Sequence, residues 1–154
     1  MHYYGRETNH MGNASELKLD PRAQCVECHS FVDLRPVFHR VEDMMRVLGF
    51  PFEDILAVQL AFREAAANAV RHGNCLDMCK RVDVRYLVTP DEVVLEVEDE
   101  GPGFDPTQVP DPFAAGGADR FKRLGLFLMR AHMNWVSFNA QGNRVTLGRR
   151  RSAL

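Results

Sequence analysis

The sequence predicts an α+β two-layer sandwich, in which helices cover one face of a mixed, mainly antiparallel sheet. Two helical patterns come early in the chain, two β-hairpins follow, and a long loop rich in glycine and proline separates the hairpins. The predicted order is therefore β-α-α-β-β-loop-α-β-β, which layers helices on an antiparallel sheet. The chain has 154 residues, of which 45% are hydrophobic and 26% charged, as is typical of one globular domain.

The first half of the chain predicts one strand and two helices. Residues Glu16–Leu19 alternate between polar and apolar and stop before a proline, as a short strand does. From Leu34 to Leu48 the apolar residues recur at helical spacing, and Gly49 provides the stop. A second helix is predicted over Phe52–His72, because acidic residues begin it, basic residues end it and a glycine follows.

The second half predicts two hairpins separated by a loop and a short helix. The loop runs from Gly101 to about Lys122, and a structureless stretch of that length is usually a lid or a binding loop. Apolar residues then predict a helix over Leu124–Ala131. The predicted hairpin strands are Arg81–Val88 with Glu92–Glu98, and Trp135–Asn139 with Arg144–Leu147.

Composition and charge exclude several functional classes. The 19 basic residues against 21 acidic residues give a net charge of −2, so nucleic-acid binding is disfavoured. No apolar run is long enough to cross a membrane, and no secretory signal is visible at the start, so we expect a cytoplasmic protein. We expect residues 1–15 to form a flexible tail, residues 16–149 one domain, and residues 150–154 a short tail, with the arginines at 149–151 solvated.

Three polar elements, in a fixed order, indicate a nucleotide site. Glu64, Asn68 and His72 recur every four residues along the second helix, so they form one polar stripe. The third predicted strand then runs into Asp99, which is followed by two glycines spaced two residues apart. Finally, Gly125 lies where a loop opens into a helix, whose free N–H groups can hold phosphate. Each element by itself has an ordinary structural explanation, such as a solvated helix face or a tight turn.

Together these elements resemble the GHKL ATPase superfamily, whose nucleotide site is the Bergerat fold, and within it the anti-sigma-factor serine kinases of bacterial partner-switching systems. The resemblance covers about residues 16–149, a histidine-kinase-like ATPase domain. It rests on four segments of the sequence: EAAANAVRHGN (64–74), VEDEGPGFDP (97–106), RLGLFLMRAHM (123–133) and GNRVTL (142–147).

The resemblance implies a role for each matching residue. Asn68 would be the Mg²⁺ ligand, and a neutral oxygen suits an ion that takes its negative ligands from a triphosphate. Glu64 would be the general base, because a glutamate is ionised at neutral pH and can accept a proton. Asp99 would read adenine by accepting a hydrogen bond from its amino group, and Gly101 and Gly103 would let the backbone approach the base.

The remaining nucleotide contacts implied by the resemblance include two departures from the family pattern. His72, Gly125 and Asn143 would line the nucleotide site, and ATP and Mg²⁺ would be the cofactors. Arg123 stands where the family has the first glycine of its third motif, so it either crowds the phosphates or contacts them. Asn143 follows Gly142 where the superfamily often has threonine, and an asparagine can still donate and accept hydrogen bonds.

The function implied by the resemblance is that of an ATP-binding anti-sigma factor and protein serine kinase. Its partners would be a sigma factor and an antagonist (anti-anti-sigma) protein whose serine receives the γ-phosphate, and the family precedent is a homodimer. The alternative is a non-catalytic partner-switch module that binds ATP and sequesters a regulator. A detached histidine-kinase catalytic domain is a third, weaker alternative.

The four cysteines allow a separate hypothesis. Residues 25–29 match the C-x-x-C-H pattern of c-type haem, a chemistry that belongs outside the cytoplasm. Cys75 and Cys79 form a second closely spaced pair, so all four thiols could share a structural zinc ion. The alternative is that they are ordinary free cysteines of a cytosolic protein.

Overall fold

A computed structural model describes residues 20–108 and 120–153 of the chain. Within these ranges there are five strands and three α-helices, together with a π-helical turn and a short 3₁₀ turn. Their bounds are β1 Gln24–Cys28, α1 Phe31–Val47, α2 Phe52–Ala67, the π-helical turn Asn68–Gly73, β2 Val82–Val88, β3 Glu92–Asp99, the 3₁₀ turn Pro106–Gln108, α3 Arg120–His132, β4 Trp135–Phe138 and β5 Arg144–Arg150.

The five described strands form one sheet in the order β1-β2-β3-β5-β4, and every neighbouring pair is antiparallel. Alternate residues of β2 are buried, as expected of a strand covered by helices on one face, and β3 follows the same pattern except that Glu96 is buried as well. The core lies between that face and the helices, and its largest side chains include Tyr86, Phe62, Leu34 and Met45. The predicted α+β sandwich is therefore confirmed.

The first predicted helix is confirmed as α1, and its start is set by a capping box. The Ser30 side chain accepts a hydrogen bond from the Asp33 N–H, and the Asp33 carboxylate accepts one from the Ser30 N–H. Gly49, with φ of +74°, follows the end of the helix. The left-handed backbone at Gly49 is a conformation that other residues rarely adopt.

The second predicted helix is also present, but its last part is not α-helical. The α-helix ends at Ala67, and the chain continues as a wider π-helical turn to Gly73. Short π-helical segments are rare and occur frequently at functional sites. In this chain the turn carries Asn68 and His72, two of the three residues of the predicted polar stripe.

The first described strand lies later in the chain than the strand that the sequence predicts, whose residues are not described. The expected strand at residues 16–19 lies outside the described residues, whereas β1 comprises residues 24–28, which the sequence analysis assigned to a cysteine motif. Because Cys25 and Cys28 are three residues apart on a strand, they face opposite sides of the sheet. Cys25 is exposed and Cys28 is buried in the core.

The basic end of the chain is not the solvated tail that the composition suggests. Arg149 lies in β5, and its guanidinium donates to the buried carboxylate of Asp54, with Nη2 2.6 Å from Oδ1. Arg151 donates to the Leu48 carbonyl and lies over the Phe50 ring. The expectation of solvation is therefore wrong for these two arginines, because the buried carboxylate of Asp54 pairs with Arg149 and the Leu48 carbonyl accepts from Arg151.

Candidate functional site

An open cleft lies between the π-helical turn, the end of β3 and the start of β5. Among the residues predicted from the sequence, it brings together Asn68, His72, Asp99, Gly103 and Asn143. Much of the remaining lining is apolar, and it includes Ala65, Val97, Phe104, Met129 and Phe138. An apolar cleft with a few polar groups is typical of a small-molecule site.

Asp99 lies at the end of β3, where two contacts hold its carboxylate. The Gly101 N–H donates to Oδ1 at 2.8 Å. A Cβ atom added to Gly73 would overlap the carboxylate itself, and one added to Gly101 would overlap the Gly73 carbonyl. Both glycines are therefore needed for the close approach of the π-helical turn to Asp99, since any side chain would push the two segments apart.

Gly103 and Gly142 allow a second close approach, on the other side of the cleft. Gly103 has φ of +75° and Gly142 has φ of +76°. A Cβ on Gly103 would overlap the Gln141 carbonyl, and one on Gly142 would overlap the Phe104 carbonyl. These two glycines bring the segment after Asp99 directly against the β4–β5 turn.

Asn143 has a structural role that the sequence did not indicate. Its carbonyl accepts from the Asp99 N–H at 2.9 Å, and its Nδ2 donates to the Asp99 carbonyl at 2.8 Å. Its Oδ1 accepts from the Asn139 side chain at 2.7 Å. Asn143 therefore lines the cleft while its amide holds the end of β3 in place.

Glu64, Gly101, Arg123 and Gly125 do not line the cleft. Glu64 lies one turn before Asn68 on the same helix, and Gly125 of α3 packs directly over these two side chains. A Cβ on Gly125 would lie 2.7 Å from Glu64 Oε2 and 3.5 Å from the Asn68 amide nitrogen. Glu64 thus lies next to the cleft, beneath the second turn of α3. Arg123 lies two residues before Gly125 on the same helix and is half-buried.

Two residues of the site were missed by the sequence analysis. Gly73 was interpreted only as a helix stop, although it packs against the Asp99 carboxylate. Asn139 was interpreted only as the end of a strand, although its Oδ1 accepts from the N–H groups of Gly142, Asn143 and Arg144. The signal for Asn139 was available, because an asparagine a few residues before a glycine often forms such a turn.

The cysteines show no metal site. Within the ranges that the structure describes, no group of three or more histidine, cysteine, aspartate or glutamate side chains could hold a metal ion. Burial raises the pKa of the Cys28 thiol to about 11, and the carboxylates of Asp33 and Asp83 contribute in the same direction. Because no such group of side chains is present in the described ranges, the shared zinc site has no support there, and the C-x-x-C-H motif belongs to β1 and the residue that follows it.

A comparison with known protein families identifies the family of this chain. A sequence profile described as the histidine kinase-like ATPase domain matches residues 31–149. This chain belongs to the histidine kinase-like ATPase family.

Among curated proteins, the chain is similar to the serine-protein kinase RsbW of several bacteria. It is 32% identical to the Bacillus licheniformis protein over 101 residues, which are 58% of this chain and 59% of that protein. The Bacillus subtilis (strain 168) protein is 31% identical over the same shares. The Listeria monocytogenes serotype 4b (strain F2365) protein is 32% identical over 94 residues, or 57% of this chain and 60% of that protein. The match thus spans about three fifths of the length of these relatives.

One further observation concerns membranes. In the part of the chain that the structure describes, none of the helices has the length and apolar character needed to cross a lipid bilayer.

Proposed function

We propose that this protein is an ATP-dependent protein serine kinase that also acts as an anti-sigma factor in the cytoplasm, as a homodimer. Its partners would be a sigma factor and an antagonist protein whose serine receives the γ-phosphate of ATP. The observation that carries the proposal is the cleft itself, in which Asn68 and His72 of the π-helical turn meet the carboxylate of Asp99 across an apolar floor. The similarity to proteins named serine-protein kinases supports the same function.

The cleft suits a nucleotide in both shape and polarity. The apolar residues Val97, Phe104 and Met129 offer a surface to a flat ring. At the edge of that surface, the Asp99 carboxylate can accept from the amino group of adenine, whereas the carbonyl of guanine would face it as a second acceptor. A site built to accept from a substrate N–H group rejects an analogue that lacks it, so Asp99 would select ATP over GTP.

The catalytic part of the site would lie at the α2–α3 contact. Asn68 provides a neutral oxygen at the mouth of the π-helical turn and would hold Mg²⁺, which neutralises charge on the phosphates when bound. Glu64 lies one turn away and would accept the proton of the serine hydroxyl. The serine oxygen would then form the new bond to the γ-phosphorus while the bond to ADP breaks and ADP departs. His72 and Asn143 line the same cleft and would contact the nucleotide.

The experiment is incubation of the purified protein with γ-labelled ATP, Mg²⁺ and the antagonist protein, with calorimetry of ATP binding in parallel. Glu64→Ala should abolish phosphate transfer and leave ATP affinity nearly unchanged, because a general base acts only in the transfer step. Asn68→Ala should weaken both, because the Mg²⁺ that Asn68 would hold would neutralise phosphate charge in the bound nucleotide as well as during transfer. Full transfer by Glu64→Ala would contradict the assigned base.

The specific observation that favours the alternative function, a non-catalytic ATP-binding switch, is Arg123 in place of the family glycine. The variant Arg123→Gly separates the two functions. Faster transfer in the variant would mean that Arg123 obstructs the phosphates, and slower transfer would mean that it contacts them, since charge-assisted contacts to phosphate are strong. If neither protein transfers phosphate while both bind ATP, the switch is the correct function.

A further inference from the structure

Asn74 is a buried polar residue that follows the π-helical turn directly. Its exposed fraction is only 2%. Its Nδ2 donates to the Arg81 carbonyl at 2.8 Å, and its Oδ1 accepts from the Glu100 N–H at 2.9 Å. Its own N–H donates to the Ala69 carbonyl at 2.8 Å. A buried amide with both ends satisfied fixes its neighbours firmly, because leaving either end without a partner is costly.

The groups that Asn74 joins are those that hold Asp99. Gly73, its chain neighbour, packs against the Asp99 carboxylate. Glu100, its hydrogen-bond partner, lies between Asp99 and Gly101, whose N–H donates to that carboxylate. The link from Asn74 to Glu100 therefore closes a ring of contacts around the Asp99 carboxylate. If it opened, the π-helical turn and the end of β3 would lose this buried hydrogen-bonded link.

Arg81 reinforces this link with its backbone. Its carbonyl accepts from Asn74, and its N–H donates to the Glu100 carboxylate at 2.6 Å. Both backbone groups of Arg81, immediately before β2, are thus used to bridge Asn74 and Glu100. The bridge spans from residue 74 to residue 100, so no local pattern in the sequence indicates it.

The backbone that follows Asn74 is strained. Cys75 and Leu76 have φ of +54° and +61°, and they are the two non-glycine residues with positive φ in the described ranges. Such a conformation costs about 1–2 kcal/mol per residue and persists only where the surroundings impose it. The hydrogen bonds of Asn74, together with the Leu76 N–H to the Val70 carbonyl at 2.9 Å, provide that constraint.

We propose that Asn74 is a positioning residue of the nucleotide site, which sets the orientation of the Asp99 carboxylate and thereby the preference for ATP over GTP. This inference rests on the proposed function, because it assumes that Asp99 reads the base. Asn74 does not contact the nucleotide in this proposal. It acts through the backbone on both sides of the carboxylate.

The test is calorimetry of the full chain with ATP and with GTP, alongside thermal unfolding. Asn74→Ala should weaken ATP binding about tenfold and reduce the ATP-over-GTP preference by a similar factor, as expected when a contact group is misplaced. The control is Asn134→Ala, which removes an exposed amide that accepts from the Arg150 N–H. Asn134→Ala should leave the nucleotide preference unchanged.

A second variant of Asn74 keeps the test decisive if the alanine variant does not fold. Asn74→Asp has the same size and keeps the oxygen that accepts from the Glu100 N–H, while it loses the donor to Arg81. It should melt at a lower temperature and retain most of the ATP-over-GTP preference. Loss of the preference in this variant would contradict the role of the Glu100 link.

The outcomes separate this inference from the proposed function. If the wild-type protein binds ATP and prefers it to GTP, but Asn74→Ala has the same preference at a lower melting temperature, Asn74 is only structural and the inference is overturned. If the wild-type protein binds neither nucleotide, the proposed function fails, and the inference fails with it.

Discussion

Polar side chains lie beside the core at both ends of α2, but those at the start are buried and paired, whereas those at the end line an open cleft. At the start of the helix, Asp54 is fully buried and accepts four hydrogen bonds, two from the Arg149 guanidinium and two from the N–H and hydroxyl of Ser152. At its end, the helix widens into the π-helical turn, and Asn68 and His72 line an open cleft.

The difference shows how one helix divides stability from function. A buried carboxylate that is fully paired holds distant segments together, but it offers nothing to a ligand. At the cleft, glycines and backbone hydrogen bonds position the polar groups, and the lining remains open to a small molecule. Changes at the closed end should therefore affect stability alone, and changes at the open end should affect binding or transfer.

The largest expected effect is at the closed end. Asp54→Ala should lower the free energy of unfolding by about 3–5 kcal/mol, because it leaves the partly buried Arg149 guanidinium without its charged partner. Urea unfolding followed by circular dichroism measures the change. Glu53→Ala is the matched control, since Glu53 is the exposed acidic neighbour in the same turn and should cost little. If Asp54→Ala bound ATP more weakly under conditions in which it is still folded, the closed end of α2 would affect more than stability.

The pH dependence of stability tests the same contact. Burial alone would raise the pKa of Asp54, but the hydrogen bonds from Ser152 and Arg149 outweigh it and hold the pKa below the ordinary 3.8. Such a group contributes stability above its unfolded pKa and loses it as the pH falls through its folded pKa. The difference in unfolding free energy between the wild type and Asp54→Asn should therefore be constant above about pH 5 and shrink below about pH 4. A constant difference down to about pH 3 would contradict the assigned pairing.

At the open end, Gly125→Ala should reduce phosphate transfer about 10- to 100-fold, because its Cβ would lie 2.7 Å from Glu64 Oε2 and displace the proposed base. ATP affinity should change much less, since Glu64 is outside the cleft lining. Single-turnover transfer and calorimetry measure the two quantities. The control Leu128→Ala changes another residue of α3 and should affect stability rather than transfer. If Gly125→Ala transferred phosphate at the wild-type rate, Glu64 in its place beneath Gly125 would not be the general base.

The strained loop beyond the cleft should give a smaller effect of opposite sign. Leu76→Gly should raise the free energy of unfolding by roughly 0.5–1 kcal/mol, because glycine adopts positive φ without the steric cost. Leu76 is 66% exposed, so little packing is lost. Met78, which is 64% exposed in the same loop and has an ordinary φ, provides the control. Met78→Gly should be neutral or slightly destabilising, and equal gains in both variants would exclude strain as the cause.

The smallest effect concerns the thiols, whose labelling leaves the fold intact. Cys25, Cys75 and Cys79 are exposed, whereas Cys28 is buried and its pKa is raised to about 11. A disulfide reagent that reacts with free thiols should therefore modify three cysteines per folded chain. Cys28 should react only after the protein is unfolded in denaturant. If all four thiols failed to react in the folded protein and became reactive after a chelator was added, the result would support the shared zinc site.

Much of the fold follows from local patterns. The alternation in β2 and β3 and the helical spacing in α1 each depend on neighbouring residues, so the sequence sufficed to predict these elements. The strand β1 was missed because four of its five residues are at least partly exposed and its pairing partner, β2, lies more than fifty residues away.

The site was predicted in part for the same reason. The polar stripe through Asn68 and the strand-end Asp99 are visible in single segments of sequence. The contact of Gly73 with Asp99 and the pairing of Arg149 with Asp54 are not, since Arg149 and Asp54 lie 95 positions apart. Charge alone indicates a solvated arginine, and only a buried carboxylate brought next to it changes that conclusion.

The sequence by itself therefore determined the family, the α+β architecture and the residues that carry polar chemistry, because periodicity and short motifs are properties of neighbouring residues. The tertiary structure decided which backbones approach Asp99, that Glu64 lies beneath Gly125, and that Asp54 is paired rather than solvated. These are contacts between distant segments. They depend on how whole elements pack together, and no single stretch of sequence records that packing.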